Sequence, residues 1–169
     1  DYMRAPQGTL IRFIRFLGAF ISLVLPGYFV AIALHHQGLL SSEALNTIIY
    51  SRRMVYSSIG TEMVFLLLVF QLIREAGMRV PGSIGQAIGI IGGLVLGQAA
   101  IAANMASAVL LTIVALSGLG NFCIPDYQMQ ISTSYLRVLF VGVAWLGGLL
   151  AITAVFLILV GHTATIKSY

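Results

Sequence analysis

From Ile84 to Ala103 the chain carries no charged side chain, and the run is approached straight from a charged corner, Arg74-Glu75-Ala76-Gly77-Met78-Arg79-Val80-Pro81. An apolar stretch of about 20 residues is what an α-helix needs to cross the hydrocarbon of a bilayer. A charged corner ahead of it fits a turn at the membrane surface. Composition points the same way: 59% of the 169 residues are hydrophobic and 8% are charged, where soluble domains carry about a quarter charged residues. That excludes an ordinary soluble domain. The net charge of +4 then describes loops between apolar runs, with no nucleic-acid-binding face.

Five apolar segments are expected to span, at about 13–34, 58–73, 84–103, 106–122 and 135–160. The expected fold is an all-α polytopic integral membrane bundle with one short interfacial helix. Residues 39–57 supply that helix, because Leu45, Ile48, Ile49 and Tyr56 are mixed there with Glu43, Asn46, Arg52 and Arg53. Pro26 removes a backbone donor inside the first segment and is expected to kink it. Only Asn104 and Met105 separate the third and fourth segments, which is expected to force an antiparallel hairpin. Residues 127–134 read as a polar connector, and the fifth segment, with Arg137 near its start, is the longest. Arg4, Arg12 and Arg15 ahead of an apolar run imitate a signal peptide, but the run continues to Leu34 without a small-residue cleavage site.

Basic residues flanking the spans place the start of the chain, the Arg74–Arg79 corner and the Arg137 end in the cytoplasm. Arg52 and Arg53 then fall outside. Five spans also leave Lys167 and Tyr169 outside, so a cytoplasmic continuation requires a re-entrant segment or one more crossing. The short 58–73 segment is the first suspect for a non-spanning element.

Several stretches carry a resemblance. Arg74-Glu75-Ala76-Gly77, Arg79, Pro81, Ile84-Gly85-Gln86-Ala87, Gly92 and Gly97-Gln98-Ala99-Ala100 resemble the membrane region of the GerA family of spore germination proteins, the A subunits of nutrient germinant receptors. Ile14-Arg15-Phe16-Leu17, Leu25-Pro26-Gly27, Asn121-Phe122-Cys123-Ile124-Pro125-Asp126-Tyr127 and Leu136-Arg137-Val138-Leu139-Phe140 agree with it in order and spacing. One departure is Ala108, where the family has a proline after the serine, here Ser107. The resemblance implies a multi-pass protein of the inner membrane of an endospore. It implies a homo-oligomeric ring that passes ions, a transporter-like B subunit and a lipoprotein C subunit as partners, and a soluble domain ahead of Asp1. Accessory paralogues share the same membrane region.

Against that setting Glu62 is the sharpest candidate, since an ionisable group inside a membrane segment faces a partner, water or the nearby headgroups. It either lines an ion path or reaches the surface. Gln86 and Gln98, 12 positions apart, lie about 120° from each other around a helix, so at most one shares a narrow pore face. Arg74, Glu75, Arg79 and Arg137 read as interface charges: Glu75 and Arg79 have ion-pair spacing, and Arg137 has Asp126 or Glu75 as alternative partners. Gly85, Gly89, Gly93 and Gly97 recur along one helix face, as helix packing in membranes favours. The lone Cys123 allows no disulfide within the chain, and adjacent His35 and His36 with remote His162 make no metal site. No nucleotide loop and no serine with a base beside it is present, so neither enzyme nor cofactor is expected. A gated channel subunit leads; a secondary transporter or a non-conducting membrane scaffold for partner subunits are the alternatives.

Overall fold

The computed structural model describes the backbone of residues 5–79 and 83–165; the side chains of 5–7, 78, 83–90 and 127 lie outside that description. Six helices follow in order: α1 (Ala5–His35), α2 (Ser42–Ser51), α3 (Ile59–Arg79), α4 (Ser83–Ala102), α5 (Ala108–Phe122) and α6 (Tyr127–Thr165), with a 3-10 turn at Gln37–Leu39. No strand occurs among the described residues. The all-α expectation therefore holds. By length and hydropathy two helical stretches suffice to cross a bilayer, Gly8–His35 and Gln128–Thr165, while Ile91–Ala102 and Ala108–Phe122 are shorter apolar stretches.

Local chemistry sets the helix ends. Ser41 caps α2 by accepting from the Ala44 N–H at 3.3 Å, and Ser107 caps α5 by accepting from Leu110 N–H at 3.4 Å. Between α4 and α5 stands Asn104 with φ 57, the one non-glycine at positive φ among the described residues. The Met105 N–H bonds Ala100 O and the Asn104 N–H bonds Ile101 O, which is a Schellman ending with asparagine in the place glycine usually takes. Capped so sharply, the two helices diverge. Among the described residues α4 packs mainly on α3 and α5 on α1, and α4 and α5 meet near the link, where Leu111 lies over Gly97. Pro26 lies within α1, which continues to His35.

The fifth segment differs most from expectation. Its helix begins at Tyr127, so the supposed connector 127–134 forms its first turns. It then breaks at Gly148, whose φ 62 and ψ −151 are non-helical and lie in a region essentially reserved for glycine. Contacts reveal the direction of the break. A Cβ at Gly27 would lie 3.2 Å from Phe140 O, and one at Gly148 would lie 3.1 Å from the His35 ring, so residues 127–147 run parallel to α1. Beyond the break, Phe156 packs edge-to-face on Phe20 with centroids 5.8 Å apart. Phe20 lies about 22 Å back along α1 from His35, at 1.5 Å per residue; a straight α6 would carry Phe156 about 12 Å further off instead. The chain therefore reverses at Gly148, and 135–160 holds two antiparallel helical arms where one straight helix was expected.

Two ends of the bundle result. One, the basic end, gathers Arg74 and Arg79, the close of α5, the start of α6 and its returning half; the other gathers His35, α2, Glu62, Ser107 and Gly148. Between them Val30, Met63, Leu66, Leu110, Val114, Phe140 and Ala144 form the apolar core. Polarity is inverted relative to a soluble fold. Glu62, Asn121 and Arg137 are at most 2% exposed, whereas Leu146 is 86% and Leu150 81% exposed. A surface this apolar is stable against hydrocarbon and costly against water.

Candidate functional site

Two buried polar clusters stand at opposite ends of the bundle. At the far end, α2 stops at Ser51 and Arg52 turns back, donating from Nη2 to Ser57 O at 2.6 Å and from Nε to Glu62 Oε2 at 3.2 Å. The other carboxylate oxygen, Oε1, accepts from the Ser107 backbone N–H at 2.5 Å. Glu62 is thus pinned between a guanidinium and the N-terminus of α5, where the helix dipole also favours negative charge. It is 1% exposed and faces neither the surface nor open space.

At the basic end the cluster holds two arginines and, among the described residues, no acid. Arg137 donates to Ser117 Oγ at 2.9 Å and to Ser134 Oγ at 3.2 Å; Arg74 donates to the same Ser134 Oγ at 3.2 Å and to Gln130 Oε1 at 2.5 Å. Asn121 Nδ2 adds a third donor to Ser134 Oγ at 3.1 Å. A hydroxyl has two lone pairs, so this one is oversubscribed. Ser117 Oγ in turn donates to Ser22 O at 2.7 Å, tying α5 to α1. Ser22 Oγ and Asn121 Oδ1 are buried without a partner. Arg74 also lies over the Phe122 ring, 5.9 Å from its centroid, a cation–π arrangement.

The sequence candidates fall as follows. Glu75 and Arg79 form an exposed ion pair at 3.0 Å, and Asp126 accepts from the Gln128 N–H at 3.2 Å; Arg137 pairs with neither acid. Arg74, placed by sequence at the interface, is 7% exposed. Gln98 is exposed, and the side chain of Gln86 lies outside the described residues, as do the surroundings of Gly85 and Gly89. A Cβ at Gly93 would meet nothing within 4 Å, and one at Gly97 would meet Leu111 at 3.1 Å. Among the described glycines the closest approach to backbone lies elsewhere, between α1 and α5, where a Cβ at Gly120 would sit 2.5 Å from Gly18 O. Arg52, Ser22, Ser117, Asn121, Gln130 and Ser134 were missed. Their signal was spacing: Ser117 and Asn121 are one turn apart on α5, as are Gln130 and Ser134 on α6, with Arg137 a turn further on. Among the described residues no three His, Cys, Asp or Glu side chains converge to hold a metal. The clusters join helices and carry no nucleophile set beside a base.

An apolar exterior, an apolar core and buried polar clusters at both ends suit a membrane-associated helical protein. The chain belongs to the GerA family: the profile described as "Bacillus/Clostridium GerA spore germination protein" matches residues 1–169. Among its relatives are spore germination protein GerIA of Bacillus cereus, 39% identical over 95% of this chain and 24% of that protein, and spore germination protein A1 of Bacillus subtilis (strain 168), 35% identical over 99% and 35%. An uncharacterized membrane protein of Bacillus subtilis (strain 168), YfkQ, is 33% identical over 99% of this chain and 33% of its own length. The chain spans about a quarter to a third of these relatives. No solved structure matches it.

Proposed function

We propose that this chain is the membrane region of a spore germinant receptor A subunit, which in an oligomer, with B and C subunits, forms a nutrient-gated ion path in the inner membrane of the spore. The family match along the whole chain carries the reading, and the inverted polarity of the bundle supports the membrane setting. α1, α3, α4, α5 and both halves of α6 make six crossings. Arg12, Arg15, Arg74, Arg79 and Arg137 then face the cytoplasmic side, and Arg52 and Arg53 lie outside. The two clusters are the elements that nutrient binding biases, since each ties helices that must part or slide for a path to open. Neither Glu62 nor Arg137 needs to touch the nutrient.

Single-channel recording from the full-length protein reconstituted with its partner subunits tests the reading. Nutrient-dependent unitary currents are expected, altered in cation preference or opening by Glu62→Gln. Stoichiometric substrate exchange would instead make the assembly a transporter. Silence in bilayers that contain the intact complex would leave it a scaffold.

A further inference from the structure

Where α1 crosses the close of α5, a groove of about 290 Å³ is lined by Ile11, Ile14, Arg15, Phe122, Cys123 and Pro125. Its side chains are one guanidinium, one thiol and four apolar groups. Arg15 is exposed and forms no ion pair among the described residues, and exposed Arg12 stands one turn before it. The acid next in sequence to the groove, Asp126, is engaged at the start of α6 with the Gln128 N–H. The thiol of Cys123 is turned to Leu119 O at 3.9 Å. Ile11, Ile14, Phe122 and Pro125 give a hydrocarbon chain apolar surface beside the guanidinium.

We infer that this groove holds one phospholipid with an anionic headgroup, its phosphate on Arg15 and its chain along Ile11, Ile14 and Phe122. Arginine binds phosphate through paired N–H donors. The groove opens at the basic end, which the six-crossing reading places at the anionic cytoplasmic leaflet; the proposal rests on that reading. The position gives the lipid a lever. Cys123 packs against Gly18, where a Cβ would come within 2.7 Å of its Cβ, so a lipid filling the groove braces the α1–α5 crossing. Anionic lipid then favours the packed arrangement of the two helices.

The test is native mass spectrometry of the full-length protein released from nanodiscs of phosphatidylglycerol or of phosphatidylcholine with the same acyl chains. Wild type is expected to retain one phosphatidylglycerol per chain in preference to phosphatidylcholine. Arg15→Gln should lower that retention about fivefold, the share one arginine contributes near an anionic surface, and Arg15→Lys should preserve most of it. Arg53→Gln, at the opposite end, should leave it unchanged. Equal retention of both lipids, or an Arg15→Gln protein that keeps phosphatidylglycerol like wild type, overturns the lipid site and leaves the membrane reading standing. A photoreactive residue at Ile14 that captures protein in place of lipid overturns it too. Failure to insert in either nanodisc would remove the membrane reading and the site together.

Discussion

Ser134 concentrates the chemistry of the basic end in one oxygen: three N–H donors approach it from Arg74, Asn121 and Arg137, and its own proton goes to Gln130 O at 2.9 Å. Donors outnumber acceptors there. Asn121→Asp, a near-isosteric change that supplies a carboxylate beside two guanidiniums, should therefore be at least as stable as wild type in thermal unfolding, against the usual cost of burying an acid. Ser134→Ala should lose about 1.5–3 kcal/mol, the worth of a hydrogen bond to a charged group. At the other end, a double-mutant cycle of Arg52→Met and Glu62→Gln should return a coupling of about 0.5–3 kcal/mol; additivity of the two changes would mean the pair contributes nothing. Glu62 stood out in the sequence as an acid inside an apolar segment, read as lining an ion path or reaching the surface, and its enclosure was not foreseen. Nor were its partners, because Arg52 was assigned to a surface loop and a backbone N–H 45 positions away leaves no mark in composition.

Among the helices, the glycines sort by what faces them. Gly120→Ala should destabilise by about 1–3 kcal/mol, since its Cβ would press on backbone that cannot swing aside. Gly93→Ala should be neutral or gain up to about 1 kcal/mol in helix propensity. Chemical unfolding in detergent measures both. If Gly93→Leu keeps the fold but breaks an oligomer seen by crosslinking, the open face of α4 is where copies meet. Periodicity drew attention to the α4 stripe because it is regular, whereas Gly18 and Gly120 stand 102 positions apart and only folding brings them together. Ala108 is explained locally: it is the first helical residue after the Ser107 cap, the position where proline is best tolerated. Ala108→Pro should leave stability unchanged, and Ser107→Ala should cost about 1 kcal/mol.

For the whole molecule, the helical class and its inverted polarity were readable from the sequence, since apolar runs and sparse charges follow directly from what a bilayer accepts. The reversal in α6 was not. Gly147-Gly148 sits in an unbroken apolar run, and a glycine pair there serves equally for close packing; the torsions of Gly148 and the contacts of Phe140 and Phe156 with α1 separate a bend from a straight rod. Cysteine labelling decides the topology. In a Cys123→Ser background, a Tyr56→Cys protein should react with impermeant reagent from the outside and a Thr163→Cys protein only from the cytoplasm, and labelling of both from one side would contradict six crossings. Gly148→Ala should cost about 1–3 kcal/mol through its strained backbone, read as a lower unfolding temperature. The same residue bears on a question of parity. On the six-crossing proposal the bend makes the crossings even in number, so the flanks of α1 and α6 would share one compartment; a straight α6 would put them on opposite sides of the membrane, and one pair of torsion angles separates those outcomes.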